Sequence, residues 1–365
     1  MHADADVVLT GGEVHTLGES DETHDAVAVR GGRIARLDSD YEMQFSVGVE
    51  TDVIDLDGRV VLPGFVDVDA AVGGGGTRRS LRAAARRTTE RGVTTVHDRV
   101  EGERAAAYRE LDADGTLPLR VAFDYGYEAL DAVETLGART GHGSDRAWTG
   151  ALAVPAVGDD EGEITPAIRR DVLRRADEAG FRIAARAADS ASVASLLDDY
   201  ERATADPGGA RHRVVGVEAV TPAIATRLAE TGVVTVVPPG SEAIDTLFSA
   251  DARVAFGGSR SAGEGESDDG RGKDSERASE RGAYDPLAAA DAAVERGVGT
   301  TDALRAATDG GAYAGGDEAR YGTLAVGGAA DLVVLDRSPW AAESIADVGV
   351  AMTVVDGEVV HDARQ

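Results

Sequence analysis

The sequence predicts a closed (β/α)₈ barrel, also called a TIM barrel, with a small β-sandwich domain formed by both chain termini. The first observation is that eight short apolar runs alternate with helical segments in the middle of the chain. The second is that glycine-punctuated strands occur at both ends. The third is size, because 365 residues with 42% apolar side chains can bury a large core. An open doubly wound sheet is the alternative, which the strand count and the missing GxGxxG motif disfavour.

Short strands separated by glycine turns make up the two ends of the chain. Residues 7–17 have a hairpin pattern around Gly11-Gly12, and residues 26–37 repeat it. Residues 53–62 supply a third strand segment. Towards the other end, the predicted strands cover residues 331–335, 351–355 and 358–360. We therefore predict one composite sandwich made of residues 1–62 and 320–365.

The middle of the chain, residues 63–319, has the alternation of a barrel. A typical unit is the helical period over residues 168–179, which stops at Gly180 and leads into the apolar run 181–185. The predicted barrel strands cover residues 62–68, 93–96, 119–123, 151–154, 181–185, 213–217, 233–237 and 253–256. Eight such units over roughly 250 residues match the usual size of this barrel.

Residues 259–282 have almost no apolar side chains and are rich in glycine and acidic residues. Such a composition cannot bury enough surface to fold, so we predict a disordered acidic insert after the eighth strand. A lid over the active site is the alternative, because loops after barrel strands emerge on the catalytic face.

The charge and the cysteine content exclude several classes of function. The chain has 37 Lys and Arg against 66 Asp and Glu, a net charge of −29, and no cysteine. Disulfides, thiolate metal sites and cysteine nucleophiles are therefore excluded, and nucleic acid and anionic membranes are disfavoured as partners. Residues 1–20 contain no secretory signal and no apolar run approaches ~20 residues, so we expect a cytoplasmic protein. We expect a small molecule as the partner. The sequence leaves open whether the chain forms a homo-oligomer.

The basic residues indicate a salt-adapted protein. Lys273 is the only lysine of the chain, so nearly all of the 37 basic residues are arginine. An acidic, lysine-poor composition is typical of halophilic proteins. Molar salt screens the repulsion between the negative charges of such a protein. A bias towards GC-rich codons is the alternative, although it does not account for the charge of −29.

The melting temperature of the protein is therefore expected to rise with KCl concentration. The excess of negative charge repels itself over a Debye length that shrinks from ~10 Å at 0.1 M salt to ~3 Å at 1 M. Thermal melts across a KCl series measure this effect. A melting temperature that is the same in low and in molar salt would show that the acidic surface is incidental to stability.

Four sequence motifs together resemble the amidohydrolase superfamily, most closely the branch called amidohydrolase family 3. They are Leu-Pro-Gly-Phe-Val-Asp at 62–67, Gly-Val-Thr-Thr-Val-His-Asp at 92–98, the segment 322–336 and the segment 353–360. The resemblance implies the same barrel and sandwich, and hydrolysis of carbon–nitrogen bonds. It also implies zinc or another divalent metal, held by histidines, a carboxylate and often a carbamylated lysine, which lowers the pKa of a bound water.

The resemblance places the metal ligands of the family at six positions of this chain. These positions hold Asp69, Ala71, Ala153, Ala185, Gly216 and Ser259. The family has histidine at the first, second, fourth and fifth of them, lysine at the third and aspartate at the sixth. Only Asp69 is a strong ligand. A shifted alignment does not restore the site, because Lys273 lies in the insert and the barrel contains only His97, His142 and His212.

Two other arrangements stay open at the sequence level. Asp67, Asp69, His97 and Asp98 follow the first two barrel strands and either form a hard-cation site or make hydrogen bonds at the strand ends. Metal-independent chemistry would use Asp69, His97 or Asp189, the aspartate that survives from the fifth-strand signature. The predicted vestigial pocket comprises Asp69, Ala71, His97, Ala153, Ala185, Asp189, Gly216 and Ser259.

The sequence thus predicts a pseudoenzyme with an intact scaffold, no catalytic residue, no metal site and no cofactor. It would bind a small molecule or act as a non-catalytic subunit. The rival hypothesis is a metal-dependent hydrolase of non-peptide carbon–nitrogen bonds, which the resemblance by itself implies.

Overall fold

The computed structural model describes residues 4–73, 77–158, 163–258 and 284–364. Eight parallel strands, hydrogen-bonded in sequence order, form the barrel sheet. They are β8 (Phe65–Ala70), β9 (Val93–Val100), β10 (Arg120–Gly126), β11 (Ala147–Val154), β12 (Arg182–Arg186), β13 (Arg213–Val215), β14 (Val234–Val237) and β15 (Val254–Phe256). The predicted fold class is confirmed, and each predicted barrel strand overlaps an observed one.

Helices follow these strands and pack around the sheet. They are α2 (Arg78–Thr89), α3 (Gly102–Ala113), α4 (Leu130–Thr135), α5 (Pro166–Glu178), α6 (Ser190–Ala203), α7 (Pro222–Thr231), α8 (Ile244–Ser249), α9 (Pro286–Glu295), α10 (Thr300–Ala307) and α11 (Asp309–Gly315). Their apolar faces and the outer faces of the strands share one large buried core. The first and last strands meet where the Gly258 N–H donates to Asp67 Oδ1 at 3.0 Å.

The remaining strands form two sheets from both ends of the chain. The strands are β1 (Val7–Thr10), β2 (Glu13–His15), β3 (Thr23–His24), β4 (Ala26–Arg30), β5 (Arg33–Asp38), β6 (Asp52–Asp55), β7 (Val60–Pro63), β16 (Leu332–Leu335), β17 (Val350–Val355) and β18 (Glu358–Asp362). One sheet has the order β5-β4-β1-β6 and the other β18-β17-β16-β7-β2-β3. Leu9 and Ile54 share a buried core with Leu332 and Val354, so the termini form one sandwich. A short helix, α1 (Asp40–Met43), covers the outer face of the first sheet.

The predicted hairpin over residues 7–17 is wrong. Strand β1 pairs with β4 and β6, whereas β2 pairs with β3 and β7 in the other sheet. Between the two strands the chain passes close to Arg59, because a Cβ atom at Gly12 would lie 2.5 Å from the carbonyl oxygen of that residue. The predicted strand 53–62 is likewise divided between the sheets, because Asp57 and Gly58 turn the chain with φ of 52° and 76°.

The barrel and the sandwich meet at a buried ion-pair network. Arg120, at the start of β10, donates from Nε to Asp331 Oδ2 at 2.6 Å and from Nη2 to Asp356 Oδ1 at 3.0 Å. The side chains of Arg120 and Asp331 are only 2% and 1% exposed. The network therefore links the amino end of β10 in the barrel to the residue before β16 and the residue after β17 in the sandwich.

Two further sequence predictions bear on this description. The predicted insert at 259–282 lies outside the described residues. The domain boundaries 1–62, 63–319 and 320–365 stay a prediction. Among the helices of the described ranges, none is long and apolar enough to cross a membrane.

Candidate site at the barrel mouth

Alternation along the strands decides which side chains face the barrel interior. On β12, Ala184 packs in the interior cluster with Val66 and Val215, whereas Ile183 and Ala185 belong to the core under the helices. Arg186 therefore points inward, two residues nearer to the carboxyl end of the strand than Ala184. Catalytic sites of this barrel lie at that end, so Arg186 occupies the mouth.

At the mouth, Asp69 is held by two arginines. Arg186 Nη2 donates to Asp69 Oδ2 at 2.7 Å, and Arg99 Nη2 donates to Asp69 Oδ1 at 3.4 Å. The side chain of Asp69 is 11% exposed and that of Arg186 is 15% exposed. We name these three residues the mouth cluster. The bond between Arg186 and Asp69 lies in a mostly dry environment, where such bonds are strong, whereas the side chain of Arg99 is half exposed.

A second ion-pair cluster lies deeper in the barrel. Arg213 donates to Asp124 and, at 3.1 Å, from Nη1 to His97 Nδ1. Although burial would raise it, the Arg213 guanidinium holds the pKa of Asp124 below its usual value. Burial and the same guanidinium lower the pKa of His97, which is therefore a neutral imidazole. Because arginine only donates, Nδ1 is the acceptor and the proton sits on Nε2, which has no partner among the described residues.

The space between these clusters is a cavity of about 10 Å³. Its lining comprises Asp69, His97, Arg99, Asp124, Ala153, Ala184, Arg186 and Val215. A cavity of that size holds about one water molecule, whereas ligand pockets are typically about 300–1,000 Å³. In the described part of the mouth, the charged side chains fill the barrel instead of leaving a substrate cavity.

The structure brings together three of the predicted pocket residues. Asp69, His97 and Ala153 all line the cavity. Gly216 adjoins it with φ of 79°, and a Cβ atom there would lie 2.9 Å from Nη1 of Arg186. A side chain at position 216 would therefore press on the guanidinium of the mouth cluster, so glycine leaves room for Arg186.

The other predicted pocket residues lie elsewhere. Ala185 faces the helices, and its neighbour Ala184 lines the cavity, because the alternation of β12 is one residue out of step with the prediction. Asp189 is exposed and caps α6, accepting from the N–H groups of Ala191 and Ser192. Ala71 is exposed beyond the end of β8, and Ser259 lies outside the described residues.

The aspartates beside Asp69 and His97 do not join them. Asp67 accepts the N–H of Gly258 at the junction of the first and last strands, and burial raises its pKa to about 7. Asp98 points outward and accepts from Tyr108 Oη at 2.7 Å and from Arg104 Nε at 2.8 Å. The hydrogen-bonding alternative for these aspartates is therefore the observed one.

A comparison with protein-family models matches the amidohydrolase family over residues 77–361, more than three quarters of the chain. This chain belongs to the amidohydrolase family. The resemblance drawn from the terminal and strand motifs is thus confirmed. A comparison with curated proteins finds no match.

Solved structures of the family share the whole architecture at low sequence identity. An adenosine deaminase from Xanthomonas campestris with bound zinc has a TM-score of 0.73 and 18% identity, over 100% of this chain and 94% of that one. A triazine hydrolase from Arthobacter aurescens has a TM-score of 0.73 and 17% identity, over 98% of this chain and 95% of that one. An uncharacterized metal-dependent hydrolase from Pyrococcus furiosus has a TM-score of 0.72 and 15% identity, over 92% of this chain and 99% of that one. At these identities the likeness shows the fold of this amidohydrolase.

The prediction that this chain uses no cofactor is contradicted by the solved structures that share its fold. One structure with the same fold holds bound zinc, and another is described as a metal-dependent hydrolase. Within the described ranges of this chain, however, no group of three His, Asp or Glu side chains converges on one point. Asp69 and Asp124 are both held by arginines. This donor set does not fit a zinc ion with three protein ligands.

The sequence analysis missed the arginines of the site. Arg99, Arg186 and Arg213 each stand in a barrel strand, at positions that alternation places inside the barrel. A charged residue at an inward position of a buried strand needs a partner of opposite charge. The sequence therefore indicated that each of these arginines needs an acidic partner, but it did not indicate on which strand that partner lies.

Proposed function

We propose that this amidohydrolase is a pseudoenzyme that does not hydrolyse carbon–nitrogen bonds and acts as a small-molecule-binding or non-catalytic subunit. The observation that supports this most is the mouth cluster, in which Arg99 and Arg186 bind the one carboxylate left at a ligand position, Asp69. Each oxygen of Asp69 accepts from a guanidinium, so this carboxylate is committed to structure. A general base must instead lie within hydrogen-bond reach of the proton that it abstracts.

The small size of the space between the described residues of the mouth supports the same proposal. Hydrolysis requires a reacting carbonyl about 3 Å from its nucleophile, in a pocket that also orients the substrate. The cavity at the mouth measures about 10 Å³, and charged side chains surround it. Opening it for a substrate would break the pairing of Asp69 with Arg186, which is costly for groups that are mostly buried.

A metal-dependent hydrolase is the second candidate, favoured by the family match over residues 77–361. In that case the mouth cluster would rearrange, and Asp69 would be freed to serve the reaction. The two candidates differ in one measurable quantity, the turnover that depends on Asp69.

Assays with N-formyl amides and aryl amides, with and without added Zn²⁺ or Mn²⁺, test the proposal. We expect the wild-type chain to show no turnover above that of the Asp69→Asn variant, which is the matched control. The variant keeps the size of residue 69 and removes its charge, so any contaminating hydrolase acts equally in both samples.

Turnover in the wild type that disappears in Asp69→Asn and on chelation would overturn the proposal and establish the hydrolase. Thermal melts of both proteins accompany the assay, because a misfolded variant would imitate a loss of activity.

A further inference from the structure

A larger cleft lies at the opposite end of the barrel from the mouth. It measures about 530 Å³, within the usual range of small-molecule sites, roughly 300–1,000 Å³. Its walls are the end of α8, the residues leading into β15, the turn between α9 and α10, and the inner faces of α10 and α11. Because it adjoins the amino end of β15, it is separate from the site described above. We name it the basal cleft.

Arg253 presents a cationic group to the basal cleft. Its guanidinium lies 4.1 Å from the ring centroid of Tyr313, and Arg211 covers the ring at 3.5 Å. At such short distances the two guanidiniums occupy opposite faces of the ring. Among the described residues, no carboxylate lies within ion-pair distance of Arg253, which is exposed. The stacking fixes its orientation and leaves its N–H donors available.

Asp309 presents an anionic group to the same space. It stands one helical turn before Tyr313 on α11, so both side chains lie on one face of that helix. In the part of the chain that the structure describes, its carboxylate makes neither a hydrogen bond nor an ion pair. Burial, followed by the nearby Glu318, raises its pKa by more than the positive charges of Arg253 and Arg305 lower it.

The other two arginines of the lining have partners, and its other carboxylates belong to Asp302, which pairs with Arg305, and to the exposed Asp245 and Asp251. Arg305 donates to the carbonyl oxygen of Leu17 at 3.2 Å and pairs with Asp302 at 3.4 Å. Arg296 donates to the carbonyl oxygen of Gly240 at 3.3 Å. Among the described residues of the lining, Arg253 is therefore the arginine with no hydrogen bond or ion pair, and Asp309 is the half-buried carboxylate with none.

We propose that the basal cleft binds a free α-amino acid, with its carboxylate on Arg253 and its ammonium group on Asp309. A simple anion would leave Asp309 unpaired, and a simple cation would leave Arg253 unpaired. A zwitterion satisfies both with charge-assisted hydrogen bonds of about 3 Å. Phe248 and Val298 add apolar surface to the lining, which favours an amino acid with an apolar side chain. The proposal holds whether or not the mouth is catalytic.

Isothermal titration calorimetry of the full chain at a fixed KCl concentration tests the proposal with three probes. L-leucine carries both charges, 3-methylbutylamine lacks the carboxylate, and 4-methylpentanoate lacks the ammonium group. We expect saturable binding of L-leucine and at least roughly tenfold weaker binding of each analogue, because each loses one charged hydrogen-bond partner.

Variants assign the contacts. Arg253→Gln and Asp309→Asn are each expected to weaken L-leucine binding roughly tenfold to a hundredfold. The matched control is Arg211→Gln, because Arg211 stacks on the same Tyr313 ring but is not part of the cleft lining. This control should bind L-leucine within about threefold of the wild type. Circular dichroism checks the folding of all three, and Arg253→Gln, at an exposed site, keeps the test valid if Asp309→Asn is unstable.

Three results would overturn the proposal. The first is no saturable heat with L-leucine, and the second is an analogue that binds as tightly as L-leucine. The third is an Arg211→Gln variant that loses as much affinity as Arg253→Gln, since the effect would then act through the packing of Tyr313.

Discussion

Replacing Arg120 with methionine is expected to lower the free energy of unfolding by about 3–5 kcal/mol, the usual cost of breaking a buried ion pair from one side. Asp331 would keep its charge in a site where its side chain is 1% exposed. It would keep the N–H of Asp356 as a donor at 2.8 Å, but lose both of its guanidinium bonds. Urea unfolding followed by circular dichroism measures the change.

Two further variants show whether the buried charge is the cause. The double variant Arg120→Met with Asp331→Leu should lose less than Arg120→Met with Asp331 retained, because no buried charge is left unpaired. Arg174→Met removes an exposed ion pair with Asp171 and Glu178, and should cost below about 1 kcal/mol. An Arg120→Met variant as stable as Arg174→Met would show that the network does not stabilise the junction.

Protonation of His212 is expected to lower the free energy of unfolding as the pH falls from 7.5 to 5, whereas the buried Asp67, whose pKa is raised, acts in the opposite direction. The side chain of His212 is fully buried against Tyr200, and burial lowers its pKa from 6.5 to about 4, more than the nearby Asp177 raises it. Between these values the unfolded chain binds a proton that the folded chain does not. The stability from neutral His212 is thus complete above pH 6.5 and is lost as the pH falls towards 4.

The expected contribution is about 2 kcal/mol of unfolding free energy between pH 7.5 and pH 5, at 1.36 kcal/mol for each pKa unit. Urea unfolding at several pH values measures it. Relative to the wild type, His212→Phe, which cannot titrate at this position, should gain about 2 kcal/mol of unfolding free energy between pH 7.5 and pH 5, whereas His142→Gln, at an exposed position, should follow the wild type. Equal slopes for His212→Phe and the wild type would contradict the assignment.

Local periodicity was enough to predict most of the elements. The helical period over 168–179 and the apolar run 181–185 correspond to α5 (Pro166–Glu178) and β12 (Arg182–Arg186). Such patterns succeed because burial on one face of an element constrains residues that are close in sequence. The predicted hairpin over 7–17 failed because turn residues do not encode which sheet a strand joins.

The candidate site could be predicted only in part. Asp69, His97 and Ala153 line one small cavity, since strand-end positions in a parallel barrel converge. Their ionic partners were not predicted. Arg186 meets Asp69 across 117 positions of the chain, and Arg213 meets Asp124 across 89. One sequence carries no signal for pairings at such separations.

By itself, the sequence determined the family and the barrel strands, because both depend on residue identity and local pattern, and it predicted that the family's histidine and lysine ligands are absent. Only the tertiary structure decided what replaces those ligands. Low-dielectric burial makes an unpaired charge costly, so each inward carboxylate takes the arginine that the folded barrel brings within reach. The basal cleft could not be predicted from the sequence either, because Arg253 and Asp309 come together only when the last strand of the barrel packs against α11.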